Sequence, residues 1–268
     1  MFPELVTFSI PSFLQGFLPD HFTLHSYGLM IALGVLVSFY ITLQKSKRFG
    51  LDSDTLSSLF IWVILAAFVG GKLFFFLEDM GKFTANPSLI KGAIGGGFVF
   101  YGSLIFAVPT IVWWLKKEKV PVRPFLDILA IVGPVVHSFG RVGCFLAGCC
   151  HGKVCTSWVG VTFSNPDSLA AIKNVPLYPT QLFDIAVNMV ILITVLLWQH
   201  KKKFEGQLFL IYLMMYAVGR SIVEMYRGDD TRGFVIEGVL SHSQFIAIGI
   251  LVVCAIVWRR WSKDKVII

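Results

Sequence analysis

Seven long apolar runs constrain this chain more than any other feature, because each approaches the roughly 20 residues a helix needs to cross hydrocarbon. They lie at about 27–43, 56–77, 94–115, 125–146, 180–198, 207–226 and 239–258. A spanning segment must satisfy its backbone internally, and the strictly alternating segments of a membrane barrel are absent, so helices are expected. With 56% apolar and 15% charged residues and a mean hydropathy of +0.74, a water-soluble particle of 268 residues would lack polar surface. The expected fold is an all-α polytopic membrane protein with seven transmembrane helices, and residues 1–268 form a single membrane domain.

Charge sets the orientation. The loops holding Lys45–Arg48, Lys116–Arg123, Lys201–Lys203 and Arg259–Lys265 carry 14 of the 23 basic residues and 6 of the 16 acids, against 9 and 10 on the other side. The excess of cations marks the cytoplasmic side. The N-terminus is then outside and the C-terminus cytoplasmic, as an odd number of spans requires. The net charge of +7 is accounted for by loops that meet anionic lipid head groups, and no nucleic-acid partner is implied. Residues 1–18 contain no Lys or Arg, so no cleaved signal peptide is expected. The longest stretch between spans, about 150–179, faces outside, and chemistry is expected there.

Several charges lie inside the apolar runs. Arg220, Glu224 and Arg227 stand at i, i+4 and i+7, which places all three on one face of the sixth span. An Arg within a span costs about 2.5–3.5 kcal/mol, so such residues usually face a polar interior and mark a substrate site; an interhelical staple or snorkelling at the interface is the alternative. Arg141 lies at the outer end of the fourth span among Gly140, Gly143, Gly148 and Gly152, where missing side chains let backbone approach a ligand or a helix. Converging guanidinium groups fork onto phosphate oxygens, and the phosphate on offer in a membrane is a phospholipid head group. His25, Ser26, Tyr27, Tyr101, Ser103, Gln181 and Asp184 are further polar residues at span ends or within spans, individually readable as caps or interhelical hydrogen bonds.

Cys144, Cys149, Cys150 and Cys155 cluster around His151, and Cys254 reads as a small apolar residue in the last span. The adjacent pair Cys149-Cys150 departs from the C-x₂-C spacing of structural zinc sites, so no metal is expected. A disulfide from Cys149 or Cys150 to Cys155 suits an oxidising compartment. Simple burial beside the glycines is the third reading, favoured for Cys144.

The segments His25–Met30, Gly97–Ile105, Gly140–Gly152, Tyr178–Asp184 and Arg220–Arg227 resemble, in order and spacing, the motifs of the prolipoprotein diacylglyceryl transferases. The resemblance runs from His25 to about Ile250. It implies a transferase that moves the diacylglyceryl group of phosphatidylglycerol to the lipobox cysteine of a preprolipoprotein, without a cofactor. The partners implied are phosphatidylglycerol, the preprolipoprotein signal peptide and membrane lipids. The location implied is the bacterial inner membrane, with the active side facing the periplasm or exterior. Arg141 and Arg220 would hold the phosphate, Glu224 would orient them, and Tyr27, Arg227, Gly143 and Gly152 would line the head-group pocket. A related transferase with another acceptor or lipid, and a non-catalytic phospholipid-binding protein, are the alternatives.

The chain departs from the family pattern at Tyr101, where His is usual, at Cys144 and Ala147, where Asn is usual, and at Cys149, where Glu is usual. A phenol, with a reference pKa near 10, is a poorer base than imidazole. Either Tyr101 acts as base once a neighbouring Arg depresses its pKa, or another group such as His25, His151 or Glu224 serves, or the reaction differs.

Overall fold

The computed structural model describes residues 2–9, 21–86, 88–90, 97–227, 234–236 and 240–264. Lys265 of the last cytoplasmic loop lies outside these residues, as do Lys91, Arg232 and Glu237 on the other side and the starts of the third and seventh apolar runs. The described residues group into two compact units, Leu43–Phe125 and the rest of the chain.

Among the described residues eight α-helices dominate: α1 (Ser26–Ser46), α2 (Ser53–Glu78), α3 (Met80–Ala85), α4 (Phe100–Lys117), α5 (Val122–Ala147), α6 (Thr180–Trp198), α7 (Gln207–Glu224) and α8 (His242–Trp261). Six of them, α1, α2, α5, α6, α7 and α8, are long and apolar enough to cross a membrane. The protein is a polytopic, mostly helical membrane protein. Helix α4 falls outside that set because its 18 residues include Tyr101, Gly102 and Ser103 in the first turn and close with Lys116 and Lys117, which dilute its apolar centre. Short antiparallel strand pairs lie between the helices: β1 (Glu4–Ser9) with β2 (His21–His25), β3 (Val161–Thr162) with β4 (Pro176–Leu177), and β5 (Phe234–Ile236) with β6 (Leu240–Ser241).

In the unit 43–125, α2 and α4 approach to backbone contact where Gly70 faces Gly102, the small-residue packing that lets membrane helices associate. Polar bonds fix the register: Ser103 Oγ donates to the Ala67 carbonyl at 2.8 Å, and Trp114 Nε1 donates to Ser58 Oγ at 2.9 Å.

In the other unit, Ala130 and Ile131 of α5, Ile191 and Val195 of α6 and Leu208 of α7 form a buried core. The buried Asp127 carboxylate accepts the backbone N–H groups of Gly206, Leu208 and Phe209 at 2.9–3.3 Å and pairs with Lys202 at 3.0 Å. It thereby satisfies donors at the start of α7 that no helical partner could reach. Phe204, Leu210 and Cys254 are buried together, so Cys254 is the small apolar residue its sequence context suggests. Between α5 and α6 the chain forms a small structure of its own, with Phe163, Ala170 and Leu177 as its core.

Candidate functional site

Helix α5 ends at Ala147 because Gly148 turns left-handed (φ 83°), with its N–H bonded back to the Cys144 carbonyl at 2.9 Å. A side chain at Gly148 would also collide with Ser168. Cys150 is left-handed too (φ 62°), a conformation uncommon in residues with a side chain. The first turn of α6 holds this backbone in place: Gln181 Nε2 donates to the Cys149 carbonyl at 2.6 Å and Thr180 Oγ1 to the Cys150 carbonyl at 2.8 Å.

Past that turn, Gly152 pairs with Arg227 in an antiparallel bridge. The Gly152 N–H donates to the Tyr178 carbonyl at 2.8 Å, and the Lys153 N–H to the Tyr226 carbonyl at 3.0 Å. A Cβ on Gly152 would strike the Tyr226 carbonyl, so only glycine fits. The bridge corrects one expectation. Because α7 stops at Glu224, Arg227 does not share its face with Arg220; it is held beyond the helix, 5% exposed, against the Cys149–Gly152 segment.

Each remaining arginine has its own carboxylate. Arg220 pairs with Glu224 one turn on, with both side chains largely buried. Arg141 Nε donates to His137 Nε2 at 3.1 Å and lies 3.1 Å from Asp184 Oδ2, so the imidazole takes its hydrogen bond and the carboxylate meets it as an ion pair. That ion pair uses Nε and leaves the forked Nη face, the bidentate face of a guanidinium, for another acceptor. Glu224 is thus the partner of Arg220 alone. Arg220 Nη1 is buried without a hydrogen-bond acceptor among the described residues, a state that costs about 1–3 kcal/mol until an acceptor arrives. The charges of Arg141, Arg220 and Arg227 all act on Asp184, so the three cations share one neighbourhood.

Tyr27 opens α1 and lies against Gly143, where a Cβ would come within 3.1 Å of the Tyr27 Cα. An added Cβ at Gly140 meets only the tip of Ile31 at 3.5 Å, so that glycine is not demanded by packing. Tyr101 lies in the other compact unit, one residue into α4, with its side chain 56% exposed.

All five cysteines are free thiols. Cys155 contacts Ser157 rather than Cys149 or Cys150, so the suggested pairing is not formed. Instead the sulfurs of Cys144, Cys149 and Cys150 lie within 4.8 Å of one another. The spacing argument missed this grouping because the left-handed turn at Gly148 folds Cys149 and Cys150 back onto the last turn of α5. Hydrogen bonds from the Cys144 and Cys149 thiols, then the Arg227 and Arg141 guanidiniums, hold the Cys150 thiol well below the ordinary thiol range. His151 bonds through Nδ1 to the Gly152 carbonyl at 2.9 Å and accepts the Ala171 N–H at Nε2 at 3.2 Å. Both its nitrogens are therefore committed to backbone partners. His25 sits at the end of β2 with Nδ1 2.9 Å from the Thr23 carbonyl.

Two site residues were passed over in the sequence. His137 stands four residues before Arg141 and Asn188 four after Asp184, the helical spacing that makes neighbours. The Asn188 amide lies 3.3 Å from His137 Nδ1 and donates to the Asp184 carbonyl at 2.7 Å. Beside this cluster, Ala186, Val190, Met214, Val218, Gly219 and Ile222 help line an apolar groove of about 490 Å³ between α6 and α7.

Helices long and apolar enough to cross a bilayer, with charged side chains buried among them, define an integral membrane protein. The comparisons with known proteins are more specific. The prolipoprotein diacylglyceryl transferase family model matches residues 17–260. A Clostridium tetani protein named phosphatidylglycerol-prolipoprotein diacylglyceryl transferase is 35% identical over 243 residues, covering 90% of this chain and 95% of its own length. A Clostridium perfringens protein with the same name numbered 2 is 36% identical over 229 residues, covering 85% and 88%. A Pseudomonas entomophila protein of that name is 29% identical over 250 residues, covering 90% of each. The chain belongs to the prolipoprotein diacylglyceryl transferase family.

Proposed function

We propose that the chain transfers the diacylglyceryl group of phosphatidylglycerol to the lipobox cysteine thiol of preprolipoproteins, at the outer face of a bacterial inner membrane. One observation carries the reading: three arginines gather around two carboxylates, Asp184 and Glu224, and one guanidinium nitrogen of Arg220 is buried without an acceptor. A phosphodiester supplies the oxygens and the negative charge that this set lacks.

In this reading Arg141 and Arg220 grip the phosphate and stabilise charge that builds as the C–O bond to glycerol phosphate breaks. Glu224 fixes Arg220, and Asp184 with His137 fixes Arg141. Arg227 and Gly152 close one wall, Gly143 allows Tyr27 to line the head-group pocket, and an acyl chain lies in the groove between α6 and α7. The topology that goes with it counts α4 as a seventh span, puts the N-terminus outside and treats the whole chain as one membrane domain.

The test uses the purified chain in vesicles with a lipobox peptide. Transfer from phosphatidylglycerol with release of glycerol phosphate is expected, with none from phosphatidylethanolamine. Release without modified peptide would point to another acceptor, the reading that the cysteine-bearing signature favours.

A further inference from the structure

We propose that Cys144, Cys149 and Cys150 form a three-thiolate site for a zinc-class divalent ion, whose open fourth position binds the acceptor thiol. The inference rests on the proposed transfer for its last step, and on geometry for the site itself.

Zinc–sulfur bonds of about 2.3 Å place tetrahedral thiolates about 3.8 Å apart, and these three sulfurs already lie within 4.8 Å of one another. Little movement is needed to close them on one ion. The chain around them is held in advance: Gln181 and Thr180 bind the Cys149 and Cys150 carbonyls, and Cys150 is kept in a left-handed conformation. Strain of that kind persists where surrounding structure fixes it, often at ligand clamps. The three thiols lose their protons on binding a divalent ion, which leaves a net charge of −1 on the site. Arg227 is bridged to Gly152, two residues beyond Cys150.

The set stops at three. His151, the nearest imidazole in sequence, has both nitrogens bonded to backbone, and no further His, Cys, Asp or Glu joins the group among the described residues. Three protein ligands and one open position is the arrangement of a catalytic rather than a structural zinc.

The chemistry fits what this chain lacks. A thiol that coordinates a divalent ion loses its proton outright, so acceptor activation does not depend on a strong base where Tyr101 stands. The released proton passes to solvent. The metal-bound sulfur then forms the C–S bond of the thioether as the C–O bond breaks, and that electron pair leaves with glycerol phosphate held by the arginines. No oxidant or reductant is required.

The experiment measures metal in the full chain purified in detergent under reducing conditions without chelators, then the spectrum of cobalt(II) added to metal-stripped protein. About one zinc per chain is expected, falling below roughly a tenth in Cys149→Ser and Cys150→Ser and unchanged in Cys254→Ser. Cobalt should give a tetrahedral thiolate spectrum in stripped wild-type protein that shifts when lipobox peptide is added and does not shift with its Cys→Ser form. This second readout needs no variant to fold. Substoichiometric zinc with no thiolate–cobalt spectrum overturns the site. A thiolate–cobalt spectrum unchanged by the peptide overturns the open acceptor position. Metal binding without any diacylglyceryl transfer leaves the site standing and removes the proposed reaction; transfer by metal-free protein removes the metal's role and leaves the reaction.

Discussion

Arg141 and Arg220 are the residues on which function turns, and they differ in how they fail. Arg141→Ala would strand the buried Asp184 carboxylate, so the informative change is Arg141→Lys, which keeps the charge and loses the forked Nη face. We predict a fall in transfer of roughly 100-fold with the protein still folded, measured as modified lipobox peptide per chain. Tyr101→Phe separates two sources of thiol activation. If the three-cysteine site supplies the thiolate, the variant keeps transfer within about tenfold of wild type, whereas a general base typically contributes 100-fold or more. The sequence made the arginines legible because charge inside an apolar run is costly. It did not make His137 or Asn188 legible, because a single polar residue on a helix usually has a structural use and only the fold shows the shared Arg141–Asp184 contact.

At the scale of elements, two devices hold the site. Asp127 ties α5 to the start of α7, the helix that carries Arg220 and Glu224. Breaking a buried, hydrogen-bonded ion pair costs about 3–5 kcal/mol, so Asp127→Ala should lower the unfolding temperature in detergent and reduce transfer only in proportion to folded protein. The bridge from Gly152 to Arg227 joins the cysteine turn to the end of α7. Gly152→Ala should abolish transfer while leaving the helical circular dichroism near wild type, because the collision with the Tyr226 carbonyl is confined to that bridge. The apolar runs announced nearly every long helix. Where α7 ends was not readable: the i, i+4, i+7 spacing suggested a continuous face, but the chain leaves the helix at Glu224 and turns Arg227 toward Gly152. The sulfur grouping was hidden for a similar reason, since a left-handed turn brings together residues whose spacing argues against a shared site.

For the whole molecule, the account requires the cysteine turn and the arginines to lie on the outer side. Alkaline phosphatase fused after Lys153 should be active and fused after Lys203 or at the C-terminus inactive; the reverse pattern would contradict the orientation derived from loop charge. The membrane class followed directly from hydropathy, because backbone in hydrocarbon leaves few choices. The division into two compact units did not, since it depends on which helices pack together rather than on any one of them. The central claim, diacylglyceryl transfer through an arginine site, is tested most directly in a bacterium depleted of its own transferase. A tagged preprolipoprotein would be followed by mass spectrometry while this chain or Arg220→Lys is expressed to equal levels. The account predicts a diacylglyceryl mass on the lipobox cysteine with the wild-type chain and its near-complete loss with the variant; an unmodified lipoprotein beside a well-expressed wild-type chain would contradict it.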